Sequence, residues 1–545
     1  MDIITTCLLL LLAVIISGWV ARAIPFGIPS PIVQIVIGVL IAKYTHFEVI
    51  LDPHIFFALF IPALLFLDGW RIPKDDLLKD AGTVVELAVG LVFVTVLGLG
   101  YVIHLMIPTM PLPIAFALAA ILSPTDPVAV SAITSKLKMP KRLHHILEGE
   151  ALMNDASGLS AFRIAVAVMV TGHFSMMEAA SEFGKMAIGG IAAGVLVTSA
   201  IVWVKTAVAR RYGEEPGSAI LISLLIPFAS YFAAEHYHFS GILAAAAAGI
   251  TMGFAELRGG ALASVRMRRN TVWDMIAFCA NGIIFVLLGE QFPKIWEGAS
   301  RAMTEAGGGH KSWLIVYVLG ITFMLLAMRF VWCWVSFRFT TFRRSKRGED
   351  APHVSWRIPA VATAAGVRGS ITLAGIMTLP VSMPDGTALP GRELAVLLAA
   401  GVIVTTMVFA SVVLPLILRG LVIPENDYAE KLDTAKALAA RAAIRAIEER
   451  THDLSSGRRD ADLYNEVAGR VMDVYRAKAD PESGLLHDGE DVREAERIER
   501  ELRIAAIAAE RAEFMRMARL RKIPETMSRK MVRDLDLAEA KLMAE

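Results

Sequence analysis

Asp155 follows Asn154 in the run Glu150-Ala151-Leu152-Met153-Asn154-Asp155-Ala156-Ser157-Gly158, inside a stretch, 143–171, that otherwise reads as membrane. A side chain about twelve residues into such a helix stands roughly 18 Å along its axis, close to the bilayer midplane. A carboxylate at that depth is costly and marks an ion or proton path. Asp68 closes the run Pro62-Ala63-Leu64-Leu65-Phe66-Leu67-Asp68 toward one end of another apolar stretch. Ser123-Pro124-Thr125-Asp126-Pro127 puts two prolines and an acid inside a third. Each proline removes a backbone donor and clashes with a preceding carbonyl, so this helix is expected to break. In hydrocarbon the freed carbonyls need protein, water or an ion. Arg368, in Ala365-Gly366-Val367-Arg368-Gly369-Ser370, is a second intramembrane charge in a glycine-weakened helix. Glu150 and Asn154, four residues apart, share one helix face. Arg368 is the expected partner of Glu150, with Asn154 bridging, because a buried arginine demands a carboxylate.

This set of groups fits exchange. A carboxylate that binds a monovalent cation must be ionised. One that returns empty through low dielectric is far cheaper neutral, that is, protonated. Competition of one cation with one proton at Asp155 therefore gives antiport. Asn154, standing where a second Asp would add charge, predicts one proton per cation and no net charge movement.

Thirteen spans are predicted to hold these groups: 3–20, 27–43, 54–70, 82–107, 111–135, 143–171, 184–205, 217–235, 238–256, 272–291, 312–337, 357–381 and 393–419. Alternate loops starting after the first span carry 20 Lys and Arg, and the intervening loops carry 6. The positive-inside rule then places the N-terminus outside and the C-terminus in the cytoplasm. Helices 1–6 and 8–13 read as two inverted six-helix repeats, with helix 7 as a linker. The interrupted helices 5 and 12 correspond, the pattern of a transporter with a midplane site. The fold class is thus an all-α polytopic membrane protein with broken crossing helices. Residues 1–422 form its transmembrane domain. Residues 423–545, rich in Glu, Lys, Arg and Ala, form a cytoplasmic helical domain of three or four amphipathic helices with a loop near 479–489, a packing or dimer-stabilising appendage or a regulator.

Composition narrows the alternatives. The chain has 545 residues, 55% of them hydrophobic, and a net charge of +1, which gives no case for nucleic-acid binding. Cys7, Cys279 and Cys333 fit neither a metal site nor a disulfide framework. The first apolar run follows Met1-Asp2 without a basic region and reads as an uncleaved helix, although Ala21-Arg22-Ala23 has the look of a cleavage site. No cofactor and no enzymatic activity are expected. An intramembrane aspartyl protease would need a carboxyl pair sharing a proton. Asp126 and Asp155 could lie adjacent, but Asn154 and Arg368 fit transport better.

The four motifs, in this order, resemble those of the cation:proton antiporter-1 family, the bacterial NhaP and YjcE-type sodium/proton antiporters and their animal exchanger relatives: Pro62 to Asp68, Ser123 to Pro127, Gly149 to Asp155 and Gly366 to Ala374. The resemblance covers about 1–420, and the tail resembles that of the long YjcE-type members. It implies a thirteen-helix homodimer, with core and dimerisation bundles, in the bacterial inner membrane. It implies Asp155 as the cation- and proton-binding carboxylate, a Thr125 carbonyl beside it, Asp126 adjacent, and Asp68 assisting binding or access. Glu150, Asn154 and Arg368 are implied as the stabilising polar bridge. The transported ions would be Na⁺, or Li⁺, and H⁺. Ala151 departs from the family, many of whose members supply a serine hydroxyl there. Ser157 is turned about 200° from Asp155 and replaces it poorly, so water is expected instead. The departure keeps K⁺/H⁺ exchange open as an alternative. A sensor or channel signalling through the tail is the reading from another class. Arg163 has no partner assignable from the sequence, and Arg329 is expected to snorkel.

Overall fold

The computed structural model describes residues 3–24, 29–44, 53–75, 81–134, 139, 141–172, 175–213, 215–257, 263–305, 312–346, 355–383, 387, 389–419, 426–455, 461–479 and 492–544. Among them the chain is helical, with no strand. The first elements are α1 (Ile3–Ala23), α2 (Ser30–Tyr44), α3 (Pro53–Arg71), α4 (Ala81–Val85), a π-helical turn (Glu86–Gly90), α5 (Leu91–Met106), α6 (Leu112–Ile121), α7 (Pro127–Thr134) and α8 (Lys141–Thr171). Next come α9 (Met176–Tyr212), α10 (Pro216–His236), α11 (Gly241–Glu256), α12 (Ala263–Glu305), α13 (Ser312–Lys346), α14 (Arg357–Ala364), α15 (Ser370–Met377) and α16 (Arg392–Leu418). The tail holds α17 (Asn426–Ser455), α18 (Ala461–Ala479), α19 (Val492–Arg519) and α20 (Glu525–Ala544). The expected domain boundary at 422–423 and most of the expected tail loop lie outside the described residues, as do the loop cations Lys79, Lys136, Lys138, Arg258, Lys311 and Arg347.

Among the described residues seven helices are long and apolar enough to cross a membrane, and α2, α6 and α11 are shorter apolar helices. Leu8, Trp19, Leu196, Trp203, Ile315 and Phe323 stand exposed on α1, α9 and α13, side chains suited to face lipid. The interior is built from small residues. Gly249 on α11 lies against the Phe66 carbonyl of α3, where a Cβ would strike backbone. The run Ala244 to Ala248 is buried beside it. Small residues let helix backbones approach where lipid supplies no hydrophobic drive. The π-turn has its own partner: the Trp332 indole donates to the Glu86 carbonyl at 3.1 Å, and Ser336 donates to the Glu86 carboxylate at 3.0 Å. The Glu86 carbonyl also accepts from Leu91 N in the i→i+5 pattern, so the indole is a second donor from α13.

The tail docks on the end of α3. The last carbonyls of a helix lack donors and carry partial negative charge. Lys74 Nζ donates to the Trp70 carbonyl at 2.6 Å, and Arg529 donates to the Trp70 carbonyl at 2.7 Å and to that of Arg71. Glu525, in the first turn of α20, accepts from Lys74 Nζ at 3.3 Å and from Arg529 at 2.7 Å. On α12, Arg266 pairs with Asp536, which also receives Arg511 at 3.2 Å. The link from α3 adds Asp75, 3.6 Å from Arg521.

Two cations thus share Glu525. Burial, followed by the charge of Arg529, brings the Lys74 ammonium down to about 7, with Glu525 opposing. A released tail would return Lys74 to an ordinary value of about 10.4. Between those values the docked state binds fewer protons, so docking weakens as pH falls from about 10 toward about 7 and is flat below. Hydrogen exchange across α20, corrected for intrinsic rate, should therefore show more protection at about pH 9 than at about pH 7. Lys74→Met should remove the difference, and an equal pH dependence in that variant would refute the assignment.

Candidate functional site

The first interrupted stretch, 111–135, breaks at Pro124 and Pro127 as expected. Helix α6 ends with Ser123 N donating to the Ala120 carbonyl at 3.2 Å, and α7 restarts at Pro127. Asp126 is the N-cap of α7: its Oδ1 accepts from Ala129 N at 3.2 Å, and proline suits the following position. The glycine-rich stretch between α14 and α15 crosses it. Asp126 N donates to the Val367 carbonyl at 2.8 Å. The other Asp126 oxygen lies against the Cα of Gly369, the residue preceding α15. The carboxylate therefore sits at two helix N-termini, where negative charge is favoured. A Cβ at residue 369 would occupy that oxygen's place. Gly369→Ala should push Asp126 out of position and lower maximal transport at least about tenfold, as displacement of reacting groups by an ångström does. Transport at the wild-type rate in that variant would count against the packing argument.

Asp68, Thr125, Asp126 and Asp155 line one cleft, of about 360 Å³, together with Leu64, Pro124, Asn281, Gly369, Ile371 and Thr372. Asp155 is buried, at 3% exposure, in the middle of α8. Asn154 Nδ2 donates to Thr125 Oγ1 at 3.0 Å and to Glu150 Oε1 at 3.4 Å, and its Oδ1 lies 3.5 Å from Thr125 N. The amide thus ties the broken stretch to α8. Ser157 donates to the Met153 carbonyl and not toward Asp155.

The arginines exchange the roles expected of them. Glu150 does not pair with Arg368. Arg329 of α13 reaches it bidentately at 2.5 and 2.8 Å, and its Nε donates to the Ala362 carbonyl at 3.1 Å. Arg329 is 1% exposed and does not snorkel. Arg368 donates to the carbonyls of Ser123 and of Pro124, the latter at 2.6 Å. The physical reason is the break: carbonyls left without helical donors beyond α6 attract the nearest guanidinium, which frees the Glu150 position for another. Arg163 pairs with Glu235 at 3.1 Å, toward the opposite end of the bundle. The expected bridge therefore has Asn154 and Glu150 joined to Arg329, with Arg368 on the adjacent carbonyls.

Sequence reasoning missed Asn281 and Thr372 in the cleft. Asn281, an amide in the apolar run Phe278-Cys279-Ala280-Asn281-Gly282, was the available signal. A separate open groove lies between α9 and α10. It is lined by Ile201, Val204, Val208 and Tyr212, a space suited to acyl chains.

A narrow cleft lined by three carboxylates, Asp155 buried among them, where two helices break is the pattern of a secondary transporter. The chain belongs to the sodium/hydrogen exchanger family, whose transmembrane-region model matches residues 9–420. It is 40% identical over 552 residues to the Escherichia coli K12 protein described as the uncharacterised Na⁺/H⁺ exchanger YjcE, covering 100% of both chains. It is 39% identical over 484 residues to a Bacillus pumilus protein described as a sodium, potassium, lithium and rubidium/H⁺ antiporter, covering 88% of this chain and 69% of the relative. Its fold is similar to that of the sodium/proton antiporter MjNhaP1 of Methanocaldococcus jannaschii, with a TM-score of 0.57 and 18% identity over 77% of this chain and 99% of the other. It is a multi-pass membrane protein of an antiporter family.

Proposed function

We propose that the chain exchanges Na⁺, and Li⁺, for H⁺ by alternating access, one for one and without net charge movement, with cation and proton competing at Asp155. The observation that carries this reading is the burial of Asp155 in the same narrow cleft as Asp68, Thr125 and Asp126. Asp155 binds the ion, Asp68 and a Thr125 carbonyl complete its oxygen shell with water, and Asp126 orders the break. Asn154, Glu150 and Arg368, joined by Arg329, hold the shape of the site. The reading includes thirteen spans in two inverted repeats, a homodimer in a bacterial inner membrane, an outside N-terminus and a cytoplasmic tail that stabilises or regulates. One bundle moves against the other around the site, and the empty ionised site does not cross.

K⁺/H⁺ exchange is the second reading, supported by the potassium in the Bacillus relative's description and by Ala151. The test is proton flux in proteoliposomes with a fixed pH gradient, adding Na⁺, Li⁺ and K⁺ in turn, with and without an imposed membrane potential. Collapse of the gradient by Na⁺ and Li⁺, insensitive to the potential, is the expected result. Collapse by K⁺ instead selects the second reading. A rate that follows the potential overturns the one-for-one stoichiometry.

A further inference from the structure

His144, Glu148, Ala151 and Asp155 lie at positions i, i+4, i+7 and i+11 of α8 and therefore share one helix stripe. The stripe is about 16 Å long. It leads from the end of α8 on the side where the tail docks to the middle of the molecule. The cleft around Asp155 has a neighbour: a second small cavity, lined by Val130, His144, Leu147, Glu148, Ala151 and Ala365, that shares Thr125 and Asp126 as walls with the first. His144 Nε2 stands 3.1 Å from Glu148 Oε1, and both side chains are about one-third exposed (33% and 32%). The charge of Glu148 also acts on Asp68 inside the cleft. Polar groups thus form a lane from the solvent-touching His144–Glu148 pair, past Asp126 and Thr125, to Asp68 and Asp155. Ala151 is the stripe residue between mouth and site and lines the second cavity.

We propose that Glu148 is the outer carboxylate that receives the cation on its way to Asp155, and that His144 controls it as a titratable counter-charge. The proposal rests on the antiport reading above. With His144 neutral, Glu148 presents an uncompensated negative charge at the mouth and concentrates cations there. With His144 protonated, the pair carries no net charge, and the imidazolium repels a cation. The described groups that face His144 support this. They are Glu148 and His145 on α8 itself, Asp126 from the break between α6 and α7, and the uncharged Val130 of α7 and Ala365. Helix α8 has 31 residues. It is therefore about 46 Å long against roughly 30 Å of hydrocarbon. With Asp155 near the midplane, His144, about 16 Å along the axis, stands at the edge of the hydrocarbon.

The test measures half-saturating Na⁺ and maximal rate of proton flux in proteoliposomes from about pH 6 to about pH 9, beside Asp155→Asn. Glu148→Gln should raise half-saturating Na⁺ about fivefold at alkaline pH while maximal rate stays within about twofold. Glu148→Asp should restore most of the affinity. In the wild type, half-saturating Na⁺ should rise as pH falls through His144, and His144→Gln should flatten that rise. Unchanged half-saturation in Glu148→Gln, or a loss confined to maximal rate, overturns the role of Glu148. A wild-type pH dependence in His144→Gln overturns the control. Flux that persists in Asp155→Asn instead refutes Asp155 as the exchanging group, the part of the antiport reading on which the proposal rests, and an absence of cation-dependent flux in the wild type refutes antiport itself.

Discussion

Asp155→Asn is expected to abolish cation-dependent proton flux while leaving the protein folded. The carboxamide keeps the shape of the side chain but neither binds a cation with charge nor releases a proton. Removing a single charged group that holds the transported species should cost at least about a hundredfold in rate. Stability should not fall, because an ionised carboxylate buried at 3% exposure is a burden that the amide lacks. Thermal unfolding in detergent and flux in proteoliposomes, measured on one preparation, separate the two effects. Asp126→Asn is the instructive contrast. Asparagine caps helices about as well as aspartate, so α7 should stay formed, and any lost transport then reports the charge itself. Flux near the wild-type level in Asp155→Asn would require another carboxylate in the cleft, Asp68 first, to be the exchanging group.

Arg329→Met should cost about 3–5 kcal/mol of stability, because it strands Glu150 at 0% exposure without its bidentate partner. Glu150→Met should cost a similar amount for the mirror reason. The double variant should recover most of the loss, since a buried pair replaced by apolar side chains of similar size is often neutral or stabilising. Arg368→Met should be milder, about 1–3 kcal/mol, because it leaves carbonyls rather than a full charge without donors. Unfolding midpoints and folded yield of the four variants check the ranking. If Arg368→Met proved the most damaging and Arg329→Met silent, Glu150 would have to find its partner at Arg368 in the membrane.

Much of the cleft was legible because intramembrane polarity is so costly that each acid announces itself. Asp68, Asp126 and Asp155 lie in three separate apolar stretches, and the fold brings them to one cleft. The break at Pro124 and Pro127 followed from two prolines three residues apart, each without a backbone donor, whereas the single prolines Pro62, Pro227, Pro293 and Pro415 stand inside continuous helices. The arginine assignment was not legible. Arg329 and Arg368 both lie within reach of the Glu150 neighbourhood, and the choice depends on which one the open carbonyls after α6 capture. Sequence spacing holds no record of that. Asn281 escaped for a related reason: an amide costs less to bury than a charge, so it signals more weakly. The π-turn at Glu86 left no sequence trace either, because the side chains that meet it, Trp332 and Ser336, sit far along the chain on α13.

The sequestration of Glu150 and Arg329 bears on life in changing salinity. Dissolved ions screen charges that water can reach, over about 8–10 Å at ordinary ionic strength, and screen buried pairs far less. The Glu150–Arg329 bolt, 0% and 1% exposed, is therefore indifferent to whether its host sits in a dilute medium or a brine. The tail is built differently. Its Arg450–Glu501 and Arg476–Asp473 contacts have side chains 44–58% exposed, open to the same ions. One chain thus combines a buried pair whose strength salt barely changes with surface pairs on its tail that the same salt screens.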